Sequence, residues 1–326
     1  MPGIFDALPG IEAPVAAISD GLSKMWEGAA SAGRPSPTGD HAKAIQVNFV
    51  LHLGLNTDAA DAVRQFETAV RFSRRYPSRV VVLCPLKDDA GATEIRAKVY
   101  GECTLGKTPD DMRCCEFVML SYPRWARTNL ENEVSVCLST DLPLYYWAHR
   151  FSDPARLADY RYLLTSARRV LIDSATAPPD SINYPWPRPE NVRDLAYARL
   201  LPIRQSIGQF LSRYPVAVLS GGLRSIRLAH GADAGSEARV LLAWLKDRMG
   251  ASGAADATSE VAGGEGTPGS LALTFAYDNA KSFSWKADMA TGHGSFDADF
   301  GTGRTVMPAV AAPLPQENAL SEAMFF

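Results

Sequence analysis

The chain has 326 residues, five cysteines, 46% hydrophobic and 21% charged residues, and a formal net charge of −3. That length allows two separate cores, and the slightly acidic balance lacks the basic footprint of a nucleic-acid binder. No apolar run approaches the roughly 18 residues of a membrane span, the first lysine is Lys24, so no secretory leader is expected, and the sparse cysteines suit a cytoplasmic protein with reduced, buried thiols.

Residues 1–30 predict a short amphipathic helix, opened by Pro14 and carrying Val15, Ile18, Leu22, Met25 and Trp26 on one face. Ser31-Ala-Gly-Arg-Pro-Ser-Pro-Thr-Gly-Asp40 has linker composition, so 1–40 reads as a detachable arm. A first domain is expected over 41–175. It opens with a strand at 44–53 and a helix capped by Asn56 or Thr57, with Val63, Phe66 and Val70 inward. Asp58 and Asp61 in the first turn and Arg71, Arg74 and Arg75 in the last match that helix's dipole. Strands follow at 79–83, 93–103 and 113–121, then a helix at 125–138, a strand at 144–147, a helix at 155–167 and a strand at 170–172. Helices alternating with strands, and consecutive strands in the middle, predict an α/β domain with a mixed sheet.

Five prolines, Pro178, Pro179, Pro185, Pro187 and Pro189, make 176–190 a stiff linker. The second domain, 191–307, reads as α+β. Its elements are a long helix at 192–214 kinked at Pro202, a strand at 223–229, a helix at 236–249, and strands at 271–277, 282–288 and 294–299. The Gly-, Ala- and Ser-rich stretch 251–270 is expected to be mobile, and 308–326 to be a tail.

Candidate chemistry is sparse. Gly101-Glu-Cys-Thr-Leu-Gly106-Lys107-Thr108 fits the phosphate-loop pattern, and Asp173 ends a strand resembling its magnesium-binding partner. That loop needs a helix to start at its Lys-Thr, whereas Thr108 precedes Pro109, which disfavours helical angles; a polar connection between antiparallel strands explains the same letters. Cys84, Cys103, Cys114, Cys115 and Cys137 lack paired metal-ligand spacing. They leave two readings open, inert buried thiols or a redox pair of Cys103 with Cys114 or Cys115 across a hairpin. Gly221 and Gly222 form a glycine turn, with a sugar-phosphate cradle as the rarer reading. In Asp141-Leu-Pro-Leu-Tyr-Tyr-Trp147, Tyr145 and Trp147 share one strand face and Tyr146 takes the other, so one face is core and the other is open to two readings, inter-domain packing or an anchor for a partner.

Several segments, in order, resemble the glucose-6-phosphate dehydrogenase assembly proteins of the OpcA type. They are Tyr76-Pro-Ser-Arg-Val-Val-Val-Leu83, Arg113-Cys-Cys-Glu116, the Asp141–Trp147 strand, Arg169-Val-Leu-Ile-Asp-Ser174 and Asp194-Leu-Ala-Tyr-Ala-Arg-Leu-Leu-Pro-Ile-Arg204. Ser78 stands where that family often carries Cys in a Pro-Cys-Arg motif. The resemblance implies a cytoplasmic, non-enzymatic assembly factor and allosteric activator that binds glucose-6-phosphate dehydrogenase and favours its active oligomer. It further implies service to the oxidative pentose phosphate pathway, without cofactor or metal, nucleic acid or membrane. Trp147, Tyr197, Arg199 and Arg79 are the expected partner contacts, with a structural ion pair as the other reading of Arg79. The competing reading is a phosphate-loop hydrolase using Lys107, Thr108 and Asp173.

Overall fold

The computed structural model describes residues 3–37, 45–87, 94–105, 112–128, 130–179, 181 and 184–326. Among them lie ten α-helices and fourteen strands in two mixed sheets. The chain divides into two units, Met1–Asp194 with Leu320–Phe326, and Leu195–Ala319.

In the first unit α1 (Ile4–Ala7), β1 (Ile11–Ala13) and α2 (Ile18–Ser31) precede β2 (Val47–Leu53), α3 (Ala59–Arg75), β3 (Ser78–Pro85) and β4 (Arg96–Leu105). Then come β5 (Met112–Tyr122), α4 (Leu130–Cys137), β6 (Leu144–His149), α5 (Arg161–Ser166), β7 (Arg169–Ile172) and β8 (Val192–Asp194). The sheet order is β1-β4-β5-β3-β2-β6-β7-β8. From β5 to β8 along the sheet all neighbours are parallel; β4 is antiparallel to β5, and β1 to β4. Numbered among themselves, the parallel strands stand in the order 3-2-1-4-5-6, a doubly wound sheet.

Such a sheet is covered on both faces, which is why its strands lack polar alternation. β2 is buried at every position. On one face α3 sets Phe72 against Phe49 (ring centroids 5.7 Å) and Phe66 against Phe117 (4.8 Å). On the other, Ile18 and Leu22 of α2, Val134 of α4 and Leu163 of α5 pack over Val50, Val81, Val118, Tyr146 and Val170.

The segment expected as a detachable arm is the edge of this unit. Ile11–Ala13 pair with Ala97–Val99, and the buried Lys98 ammonium donates to the carbonyls of Phe5 (3.0 Å) and Leu8 (3.1 Å). Trp26 lies over Gly101, where any Cβ would collide with its ring, and its Nε1 donates to Glu116 (2.8 Å).

The second unit contains α6 (Leu195–Arg199), α7 (Leu201–Leu211), α8 (Val216–Ser220), β9 (Leu223–Gly231), α9 (Gly235–Ala251), β10 (Thr258–Gly266), β11 (Ser270–Tyr277), β12 (Ser282–Asp288), β13 (His293–Asp299) and β14 (Thr305–Val310). Its sheet runs β10-β9-β11-β12-β13-β14, antiparallel except for the parallel β9/β10 pair that α9 connects. Ile203, Ile207 and Phe210 of α7 and Leu241 and Leu245 of α9 share a core with Leu228, Leu273, Phe283, Trp285 and Phe296. The last helix, α10 (Gln316–Phe325), ends at Phe325, whose ring packs with Phe72, Tyr76 and Tyr145 of the first unit's core.

Three expected elements are different. The helix expected at 192–214 begins as strand β8, paired with β7, and is then two helices. Pro202 does not kink it but sits in the first turn of α7, where its missing N–H costs nothing. Residues 251–270, expected to be mobile, contain β10, because pairing with β9 supplies what a Gly-rich sequence does not. The expected tail holds the end of β14 and all of α10.

Candidate functional site

Doubly wound sheets bind ligands beyond the carboxyl ends of their strands, where the strand order reverses. Here that point lies between β2 and β6. Gly54 follows β2, and its N–H donates to the His149 carbonyl at 2.7 Å. A Cβ at Gly54 would collide with the Arg150 carbonyl, so only glycine permits this approach. Arg150 itself has φ 48°, the left-handed region that non-glycine residues avoid.

The helix that starts there offers N–H groups suited to an anion, but the protein fills the position itself. Asp58 caps α3 by accepting from the Asp61 N–H (2.7 Å). The buried Asp61 carboxylate accepts from His149 Nε2 (2.8 Å), Gln65 (2.9 Å) and Arg64 (3.0 Å), and pairs with Arg150 (2.8 Å). Burial alone would raise its pKa. The hydrogen bonds from His149 and Gln65 and the nearby Arg150 charge outweigh it and hold the carboxyl well below the ordinary range.

Beside this cluster runs a chain of buried polar rings. Tyr146 Oη meets His52 Nδ1 at 2.7 Å, His52 Nε2 meets Tyr122 Oη at 3.3 Å, and Tyr122 meets Tyr160 at 2.8 Å. Burial, then the Arg127 charge, lower the His52 pKa to about 3, so the ring is neutral at physiological pH. Burial drives Tyr122 and Tyr146 well above the ordinary tyrosine value. A base so far from neutrality is poorly matched to proton transfer at pH 7. The chain locks the strand ends together.

The structure redistributes the expected contact residues. Trp147 is 0% exposed, stacked on Phe49 at 6.4 Å. Both faces of β6 are core, so no partner reaches Trp147; the alternation is as expected, but helices and Phe325 cover the second face. Arg79 pairs with Glu116 at 2.6 Å, opposite the Trp26 donor. Arg199 pairs with Glu237 at 3.0 Å. Tyr197 is 39% exposed, with the Arg204 guanidinium 3.6 Å from its ring centroid. Arg79 and Trp147 belong to the first unit, Tyr197 and Arg199 to the second.

The phosphate-loop reading finds no support. Lys107 and Thr108 lie outside the described residues, but the preceding strand, β4, is antiparallel to its neighbour β5, with Leu105 paired to Met112. The carboxyl end of β4 therefore lies at the amino end of the parallel strands, while Asp173 follows the carboxyl end of β7. Five strand spacings separate β4 from β7, roughly 24 Å. Asp173 Oδ1 instead accepts from the Ala175 N–H at 3.0 Å. At the Gly221–Gly222 turn the carbonyls of Val218 and Gly221 accept from Lys281, and a Cβ on Gly222 would meet the Asp278 carboxylate. The Lys281 ammonium is thus engaged by the turn's own carbonyls, and the Asp278 carboxylate stands against Gly222.

The expectation of five reduced thiols is also corrected. Cys103 and Cys114, directly opposed on β4 and β5, form a disulfide. Cys84, Cys115 and Cys137 are free and buried. Burial raises all three: Cys115 to about 12 with help from the Glu102 charge, Cys137 to about 11 with help from Glu133, and Cys84 further still. None carries the thiolate that reactivity requires.

Sequence reasoning missed Asp61, His52 and Arg127 as a group. The legible signal was Asp61 one turn into the helix after the first core strand, with His149-Arg150 ending the aromatic strand.

These features define a doubly wound α/β domain whose ligand position is largely occupied from within, followed by an α+β unit. Residues 69–184 match the family model described as "Glucose-6-phosphate dehydrogenase subunit N-terminal domain". The match runs from within α3 past β7 and supports, for that segment, the OpcA-type family of glucose-6-phosphate dehydrogenase assembly proteins. No curated protein matches the chain. Among the described residues no helix is long and apolar enough to cross a membrane.

Proposed function

We propose that this protein binds glucose-6-phosphate dehydrogenase as an assembly factor and allosteric activator, in the cytoplasm and without catalysing a reaction itself. The observation that carries the reading is the family match over residues 69–184, which names a subunit of that enzyme. An assembly factor of this kind binds the competent oligomer more tightly than other forms, and the shift it produces is limited by that differential affinity. The Asp58 and Asp61 carboxylates that occupy the start of α3 in the first unit agree with a role in which side-chain clusters hold a shape. Tyr197, exposed and backed by Arg204, is the contact we propose. Arg199 supports it from the same helix. In the first unit, Arg79 is held by its pair with Glu116 and is proposed as a further contact of that unit.

The test is co-elution of the full chain with the dehydrogenase of the same cell, followed by the enzyme's substrate saturation curve with and without it. Co-elution with a raised kcat/KM or a larger oligomer is expected. Absence of co-elution together with an unchanged curve removes the proposal.

A further inference from the structure

Beside the Asp61 cluster, the crevice at the carboxyl ends of β2, β3 and β6 contains a cation that the fold does not fully use. Arg127 is 9% exposed. Its Nη1 donates to Asp159 at 3.1 Å, a carboxylate that is itself half exposed, and its Nε–H is buried without an acceptor among the described residues. A buried guanidinium with unmatched donors is costly, and an incoming anion relieves that cost.

Arg127 lines a cavity of about 30 Å³ together with His52, Gly54, Phe151, Ser152 and Tyr160, and no carboxylate is among the lining side chains. A single water needs about 10–15 Å³ of such volume, whereas a nucleotide-sized ligand needs a pocket of several hundred. Size therefore excludes a whole nucleotide and admits a small oxyanion. Tyr160 ends the hydrogen-bonded ring chain at this cavity, so its hydroxyl is held in place. Arg150, the residue before the lining residue Phe151, holds a left-handed conformation of the kind that concentrates at functional sites.

We propose that this crevice binds a small oxyanion, either inorganic phosphate or the phosphoryl group of a metabolite, through the Arg127 guanidinium with the Tyr160 hydroxyl as second donor. The site stands apart from the dehydrogenase partnership, and neither depends on the other.

The experiment is calorimetric titration of the full chain with inorganic phosphate in chloride buffer at constant ionic strength. Saturable one-site binding is expected. Arg127→Met should weaken it on the order of tenfold to a hundredfold, the effect of a charge-assisted hydrogen bond, and Tyr160→Phe should weaken it less. Asp159→Asn should tighten it, because Arg127 then lacks its competing carboxylate; a merely structural Arg127 predicts no gain. Tighter binding of a hexose phosphate than of phosphate, with none of the free hexose, assigns the anion to a metabolite; the reverse order assigns it to free phosphate. No saturable binding by the wild type, or undiminished binding by a folded Arg127→Met, overturns the proposal. Should Arg127→Met not fold, Asp159→Asn decides, and an affinity equal to or below wild type overturns it.

Discussion

His52 is a titratable ring placed where it cannot titrate normally. In the unfolded chain it takes a proton below about 6.5, while in the native state burial and the Arg127 charge delay this to about 3. Between those values the unfolded state holds more protons, so stability is full above 6.5 and falls as pH drops through the window. Replacing the ring with a neutral amide, His52→Gln, should flatten urea-midpoint curves there by up to about 1.4 kcal/mol per pH unit. A slope identical to wild type would contradict the buried neutral imidazole. Trp147 tests the same core differently. Trp147→Ala should cost about 3–5 kcal/mol by opening a cavity. Trp147→Phe should cost much less, because it also removes an indole N–H that has no acceptor among the described residues. Equal losses, measured by urea denaturation, would mean the ring is held by something other than packing.

At the scale of elements, the β4/β5 pair is stapled by Cys103–Cys114, a bond closing a loop of sequence separation 11. On the loop-entropy account such a short closure contributes about 3 kcal/mol. A Cys103→Ser, Cys114→Ser double variant, or the wild type in reductant, should lose roughly that amount, read as a shift in the urea midpoint. A null shift would mean the paired strands already confine the unfolded chain. Elements with strong local signals were legible: α3 from its inward stripe and charged ends, β3 and β5 from their β-branched and apolar runs. β10 was not, since Thr258–Gly266 has little intrinsic strand preference and is set by pairing with β9. The aromatic strand was legible as a strand but misread for exposure. Alternation assigns residues to faces and is silent on what covers the second face.

Across the whole molecule, distant pieces of chain complete the first unit. Trp26 from near the N-terminus reaches Glu116, and Phe325 from the C-terminus packs on Phe72, Tyr76 and Tyr145. Phe325→Ala should therefore destabilise a domain nearly two hundred residues away in sequence, by about 1–3 kcal/mol for a partly buried ring. Thermal unfolding checks this, and an unchanged midpoint would make the C-terminal contact incidental. For the partnership, Tyr197→Ala should weaken co-elution with the dehydrogenase about tenfold or more if the ring is a hot spot, while lost stacking on Arg204 lowers stability by only about 0.5–2 kcal/mol; full binding by the variant would move the contact elsewhere. The resemblance to the assembly-protein family was readable in the order of five segments, and the type of most elements was readable locally through periodicity and propensity. The disulfide partner, the burial of Trp147, the Asp61 cluster and the Arg127 cavity were settled only by tertiary structure. Each depends on which strand lies beside which, a choice made by long-range packing that no single stretch of sequence contains.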